Sequence, residues 1–94
     1  MDTIYGPALY LNGTAGTAQV KTGAGNVFGV VINSHTSGTL KMWDSASSVS
    51  VSTVIINTFS PAAGSSYIPL GGIPFSAGLV LVKGGTIDCT LIYR

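Results

Sequence analysis

Short runs of apolar, β-branched residues alternate with polar, turn-forming segments along most of the chain. The clearest example begins with the apolar run at 27–32, which suits a pleated, buried surface. Residues 33–38 are Asn, Ser, His, Thr, Ser and Gly, which favour turns, and residues 39–44 then alternate apolar and polar side chains. This pattern predicts two strands joined by a polar turn.

The remaining segments repeat the pattern at shorter length. Strands are predicted at 18–21, 51–59 and 67–70, and Pro69 confines the last of these to an edge or an irregular stretch. A final hairpin is predicted from Gly78–Lys83 and Thr86–Tyr93, joined by the favoured two-residue turn Gly84–Gly85. In its second strand one face holds Ile87, Cys89, Leu91 and Tyr93. Cys89 is therefore predicted to be a small buried apolar residue.

Strands at intervals of about 8–12 residues, without helical periodicity, are typical of an all-β, antiparallel β-sandwich or small barrel. We expect one domain, with an extended N-terminal arm at 1–17 and a β-sandwich domain at 18–94. The apolar residues of the arm either pack on their own domain or dock on a neighbouring subunit; they are Ile4, Tyr5, Leu9 and Tyr10.

Charged residues make up only 7% of the chain, against about a quarter in average globular domains. The net charge is +1, which leaves little repulsion between copies. Four scattered basic residues argue against nucleic-acid binding. No apolar run approaches the roughly 20 residues that span a bilayer, and no secretory signal is recognisable. We expect synthesis in the cytoplasm, no membrane partner and no intrachain disulfide, because Cys89 is the only cysteine.

The residues that usually carry catalysis are few. The chain has one histidine, His35, three aspartates, Asp2, Asp44 and Asp88, and no glutamate. One histidine and one cysteine cannot fill a structural zinc site, and the glycine-rich runs precede strands rather than the helix that a phosphate site needs. We expect His35 to be a turn residue and the protein to be a non-enzyme without cofactor or metal.

Trp43 is the residue whose role the pattern leaves open. It shares a strand face with Lys41, opposite Leu40 and Met42. A tryptophan in a small sandwich can be part of the core, and an exposed one is a frequent anchor in protein interfaces and sugar-binding faces. Trp43 is therefore either a core residue or a contact residue.

Residues 18–94 resemble small virion structural proteins of tailed bacteriophages. The resemblance is carried by the Val-Lys-Thr-Gly strand end, a Gly-Val-Val-x-Asn segment, a Ser-Gly-Thr-Leu-Lys-x-Trp-Asp strand, a Thr-Val-Ile-x-Asn-Thr segment and a Phe-Ser-x-Gly-Leu turn. In order, these are residues Val20–Gly23, Gly29–Asn33, Ser37–Asp44, Thr53–Thr58 and Phe75–Leu79.

The pattern predicts about seven to eight short strands with no substantial helix, and the resemblance implies that they form a jelly-roll-like sandwich. It also implies a capsid decoration or cement protein on the outer surface of the phage head, with the major capsid protein as partner and a homotrimer as the assembled form. Its contact residues would be those of the arm, together with Trp43. The alternative is a tail or fibre module whose turns and Trp43 bind a host-surface glycan.

Overall fold

The computed structural model describes residues 8–11, 15–49, 53–61 and 66–94. These residues form six strands and no helix, and every strand pair is antiparallel. The strands are β1 (Ala8–Leu11), β2 (Gly16–Thr22), β3 (Gly25–Asp44), β4 (Thr53–Phe59), β5 (Ser66–Phe75) and β6 (Gly78–Tyr93). The predicted all-β class with antiparallel pairing is confirmed. Across the described ranges, no helix has the length and apolar character needed to cross a membrane.

Two long strands, β3 and β6, pair along nearly their whole length and organise the sheet. At one end they are flanked by β1 on β6 and by β5 on β3. At the other end they are flanked by β2 on β6 and by β4 on β3. We call these four-stranded regions the β5 half (order β1-β6-β3-β5) and the β4 half (order β2-β6-β3-β4).

Both predicted hairpins are wrong, because each is a single continuous strand. Residues 27–32 and 39–44 belong to β3, and both segments pair with β6 rather than with each other. Likewise 78–83 and 86–93 are both part of β6. Four predicted short strands are thus two long ones. The described residues hold six strands where the sequence predicted about seven to eight short ones.

The polar segments read as turns are irregular stretches of these long strands. They lie at the same level of the sheet, with Thr36 opposite Thr86 and Thr39 opposite Gly84. The register shifts between Thr36 and Thr39, and positive φ angles occur at Ser37 (53°) and Gly85 (66°). Residues with turn propensity can accommodate a bulge as well as a chain reversal. Because β3 and β6 pair on both sides of these residues, the residues form a bulge and not a chain reversal.

The other strand predictions are close to the observed bounds. β2 and β4 cover most of the predicted segments, and β5 is an edge strand of the described sheet, as Pro69 predicted. Within the predicted N-terminal arm, Ala8–Leu11 forms β1, whose backbone pairs with Cys89–Ile92 of the same chain. The first two residues of β2 also fall within the predicted arm.

Side chains from both halves of the sheet form one hydrophobic cluster. Alternation along β6 buries Ile87, Cys89 and Leu91 completely, as the sequence predicted, and Tyr93 packs against the cluster while partly exposed. Burial of each such aliphatic side chain contributes about 1.5–3 kcal/mol. The buried members of the cluster are Val27, Val30, Ile32, Leu40, Met42, Phe75, Leu79, Leu81, Ile87, Cys89 and Leu91.

Candidate protein-contact surface

The outer face of the β4 half carries a row of side chains that crosses four strands. The register places Gln19 of β2 beside Val80 of β6, Val80 beside Trp43 of β3, and Trp43 beside Val54 of β4. We call these four residues the outer row. The row follows from the two-residue period of strands: because Leu40 and Met42 are buried in the core, Trp43 must lie on the opposite face.

Trp43 is half-buried and does not belong to the core cluster. The Lys41 Nζ lies 4.3 Å from the centroid of its ring, a cation–π contact. Val54 beside it is 44% exposed, whereas Val80 on its other side is completely buried. The structure therefore places Trp43 on the outer face, where one side of its ring is covered by Lys41.

Gln19 secures the β2 end of the outer row. Its Nε2 donates hydrogen bonds to the backbone carbonyls of Lys21 (2.8 Å), Ser45 (3.0 Å) and Leu79 (3.4 Å). These bonds join β2, the residue after β3, and β6. Two of the acceptors are 26 and 60 residues away in sequence, so no local pattern could have identified this role.

The Asp44 carboxylate stabilises the turn between β5 and β6, at the end of the β4 half. It accepts hydrogen bonds from the backbone N–H groups of Ser76 (3.0 Å), Ala77 (2.8 Å) and Gly78 (3.3 Å), and from the Ser76 hydroxyl (3.3 Å). The bonds from the Ser76 backbone and its neighbours outweigh desolvation and lower the Asp44 pKa. Asp44 therefore holds the β5–β6 turn.

His35 also serves the local backbone. It lies in the irregular stretch of β3, and its Nδ1 accepts a hydrogen bond of 3.1 Å from the Gly38 N–H. The sequence assigned it to a turn between strands; its bond is turn-like, but it lies within one strand. Among the residues described, no group of three or more His, Cys, Asp or Glu side chains is arranged to hold a metal ion.

Cys89 is a buried thiol without a disulfide, as its inward position predicted. Burial raises its pKa, and the positive charge of Lys83 partly opposes that effect. Because the thiolate is the reactive form, a raised pKa and complete burial make this side chain unreactive in the folded protein.

Only some of the predicted contact residues of the N-terminal arm belong to the described part of the chain. The backbones of Leu9 and Tyr10 lie in β1, opposite Leu91 and Thr90 of β6. Ile4 and Tyr5 fall outside the described residues. Of the five predicted contact residues, Trp43 is the one whose side-chain position is defined.

Three exposed apolar residues were not identified from the sequence: Val54 of the outer row, Tyr67 and Val49. Tyr67 on β5 is 46% exposed, and its ring lies over Gly29, filling the space that a Cβ there would occupy. Val49, in the connection after β3, is 92% exposed. An alternating pattern does not distinguish a half-covered aromatic residue on an edge strand from a buried one.

No protein-family model, curated protein or solved structure significantly matches this chain.

Proposed function

We propose that this protein is a non-enzymatic capsid decoration protein, which binds the outer surface of a phage head and stabilises the shell. The main support for the proposal is the outer row, in which the partly exposed Trp43 lies beside Val54, 44% exposed, on an antiparallel sheet of a chain with few charges. Such a surface suits repeated, largely non-electrostatic contacts with a lattice of identical subunits. The sequence segments that resemble virion proteins add the phage context.

The use of the few titratable groups supports a structural role. Asp44 is bonded to the backbone of a turn, His35 to the backbone of a bulge, and Cys89 lies in the core. Each of these side chains stabilises the fold at its own place. A binding role for the protein needs none of them to react.

We further propose that the two halves of the sheet curve over one core, as in a jelly-roll-like sandwich. Buried residues of both halves belong to a single cluster.

The alternative is a tail or fibre module that binds a glycan through Trp43. A sugar that stacks on an aromatic ring needs a free ring face. Because Lys41 already covers one face of Trp43 at 4.3 Å, a sugar would have to use the other face or displace the ammonium group. This contact favours the decoration role over the glycan role.

Cryo-electron microscopy of the parent phage particle tests the proposal. We expect density for this domain at regular positions on the capsid lattice, with the outer row facing a major capsid subunit. Density at the tail or fibres alone would overturn it. A glycan array, with Trp43→Ala as the control variant, would then test the alternative.

A further inference from the structure

Lys41 brings a positive charge to the outer face of the β4 half. Because Leu40 and Met42 are buried in the core, alternation along β3 puts Lys41 on the outer face together with Trp43. The register places Lys41 beside Val82 of β6. The other described side chains that alternation and register put on this face are uncharged: Thr17, Gln19, Thr39, Trp43, Val54, Val80 and Val82. The described face is therefore apolar and neutral around one cation.

Neither described carboxylate is placed to pair with Lys41. Asp44 lies on the opposite face of β3, and its carboxylate accepts hydrogen bonds from the turn between β5 and β6. Asp88 lies in the β5 half, opposite Ser34. The Lys41 contact that the structure shows is with the Trp43 ring, whose centroid is 4.3 Å from the ammonium nitrogen. An ammonium group has three N–H donors, so the ring leaves it able to bind an anion as well.

We propose that this outer face binds an acidic patch of the major capsid protein, in which a carboxylate pairs with Lys41 next to an apolar side chain that covers Trp43 and Val54. The inference rests on the decoration role and names the chemistry of the partner surface. Charge complementarity carries it. β3 is an interior strand of the β4 half, with β6 on one side and β4 on the other, so a partner that covers Trp43 and Val54 also covers Lys41. A buried ammonium group is costly unless an anion pairs with it.

The same charge disfavours two other occupants of this face. In a two-fold contact with a second copy of the chain, each Lys41 would meet a surface whose described side chains include no carboxylate. A neutral glycan stacked on Trp43 would compete with the ammonium group for the ring and offer it no counter-charge. An acidic protein surface satisfies both the charge and the apolar pair.

Binding of the labelled full chain to parent-phage heads assembled without it tests the proposal. The salt concentration is varied from about 0.1 to 1 M, over which the Debye length falls from about 10 to about 3 Å. We expect the wild-type affinity to fall as salt rises. Lys41→Met keeps an aliphatic side chain but removes the charge, so it should weaken binding at least about tenfold at low salt and remove most of the salt dependence. Lys41→Arg should retain that dependence.

Two further variants separate this charge from other contributions. Lys21→Met is the matched control, because it changes the net charge equally at another half-buried position of the β4 half, but opposite the core residue Leu79. It should bind as the wild type does. Trp43→Ala removes the apolar contact and keeps the charge. It should weaken binding at every salt concentration and leave the salt dependence unchanged.

The outcomes distinguish this inference from the decoration role. If the wild type binds the heads but Lys41→Met binds equally well with the same salt dependence, the decoration role stands and the acidic partner is overturned. Equal losses in Lys41→Met and Lys21→Met would also overturn it, because they would reflect net charge alone. If the wild type binds no heads at any salt concentration, or binds a host glycan instead, both the decoration role and this inference are overturned.

Discussion

The two halves of the sheet share the same long strands but are closed in different ways. At the end of the β5 half, Asn26 and Arg94 exchange two backbone hydrogen bonds, of 3.0 and 2.7 Å. At the end of the β4 half there are also two backbone hydrogen bonds, from Gly23 N–H to the Ala77 carbonyl (2.8 Å) and from Ser45 N–H to the Gly78 carbonyl (3.1 Å). The Asp44 carboxylate and the Gln19 amide add several side-chain bonds there. Hydrogen bonds between backbone groups persist whatever the side chain and the pH. The bonds that Asp44 accepts are lost when the residue is substituted and are weakened when its carboxylate is protonated.

The pH-sensitive hydrogen bonds of Asp44 and the outer row of side chains both lie in the β4 half. The edge strand of that half, β4, has no charged residue. The β5 half has an edge with two prolines, and its end is held by two backbone bonds and by the Asn26 Nδ2, which donates a hydrogen bond to the Gly72 carbonyl. Both halves contribute side chains to the one hydrophobic cluster, so the difference between them lies at their ends and edges.

Truncation of the core in either half asks whether the two halves form one cooperative unit. Leu81→Ala in the β4 half and Leu91→Ala in the β5 half each remove a fully buried side chain of the same cluster. Each should lower the free energy of unfolding by about 2–5 kcal/mol. Urea denaturation should show a single transition for both variants.

Alkylation of Cys89 provides an independent check on this cooperativity. Because the thiol is buried and its pKa is raised, modification should follow global unfolding and should accelerate in both variants alike. Two separate transitions, or acceleration by Leu91→Ala alone, would show that the halves unfold independently.

A glycine substitution tests the junction between the halves. Gly85 has φ 66°, and an added Cβ would clash with the Ser37 carbonyl oxygen. Gly85→Ala should therefore lower the free energy of unfolding by about 1–3 kcal/mol. The matched control is Gly71→Ala, since Gly71 has a similar φ of 68° but open space around the added Cβ.

The difference between these two variants isolates the clash from the backbone strain. Thermal unfolding monitored by circular dichroism measures both. Equal losses of stability would indicate that the backbone at Gly85 moves away from Ser37 without cost, and that the junction is not rigid.

The hydrogen bonds of Asp44 in the β4 half predict that the free energy of unfolding depends on pH. Because hydrogen bonds lower the pKa of Asp44 in the folded state, its stabilising effect is fully present above the unfolded pKa of about 3.9. It is lost as the pH falls through the lower folded-state pKa. Asp44→Asn should lower the free energy of unfolding at pH 7 by about 1 kcal/mol, a modest figure because the site is near solvent.

Urea denaturation from pH 7 down to pH 2 measures this effect. The variant should lose less stability on acidification than the wild type does. Ser76→Ala, which removes one hydroxyl donor but keeps the backbone N–H, should have a smaller effect at pH 7. Identical pH profiles for wild type and Asp44→Asn would contradict the assigned role.

The alternation of residues was enough to predict the strand class, the faces of the strands and several core residues. The burial of Cys89 followed from the two-residue period of the last strand, and the edge position of β5 from Pro69. These properties depend only on neighbours along the chain. They were therefore predictable from the sequence.

Pairing over long distances decided what local patterns left open. Asn33–Gly38 and Gly84–Gly85 have the composition of turns, but the match between β3 and β6 makes them irregular stretches of two long strands. Trp43 could be core or surface until the register placed it between Val80 and Val54. Gln19 and Asp44 gained their roles from residues up to 60 and 34 positions away. A sequence determines which groups are able to pair, whereas tertiary structure decides which of them meet, because that choice depends on the free energy of the whole sheet.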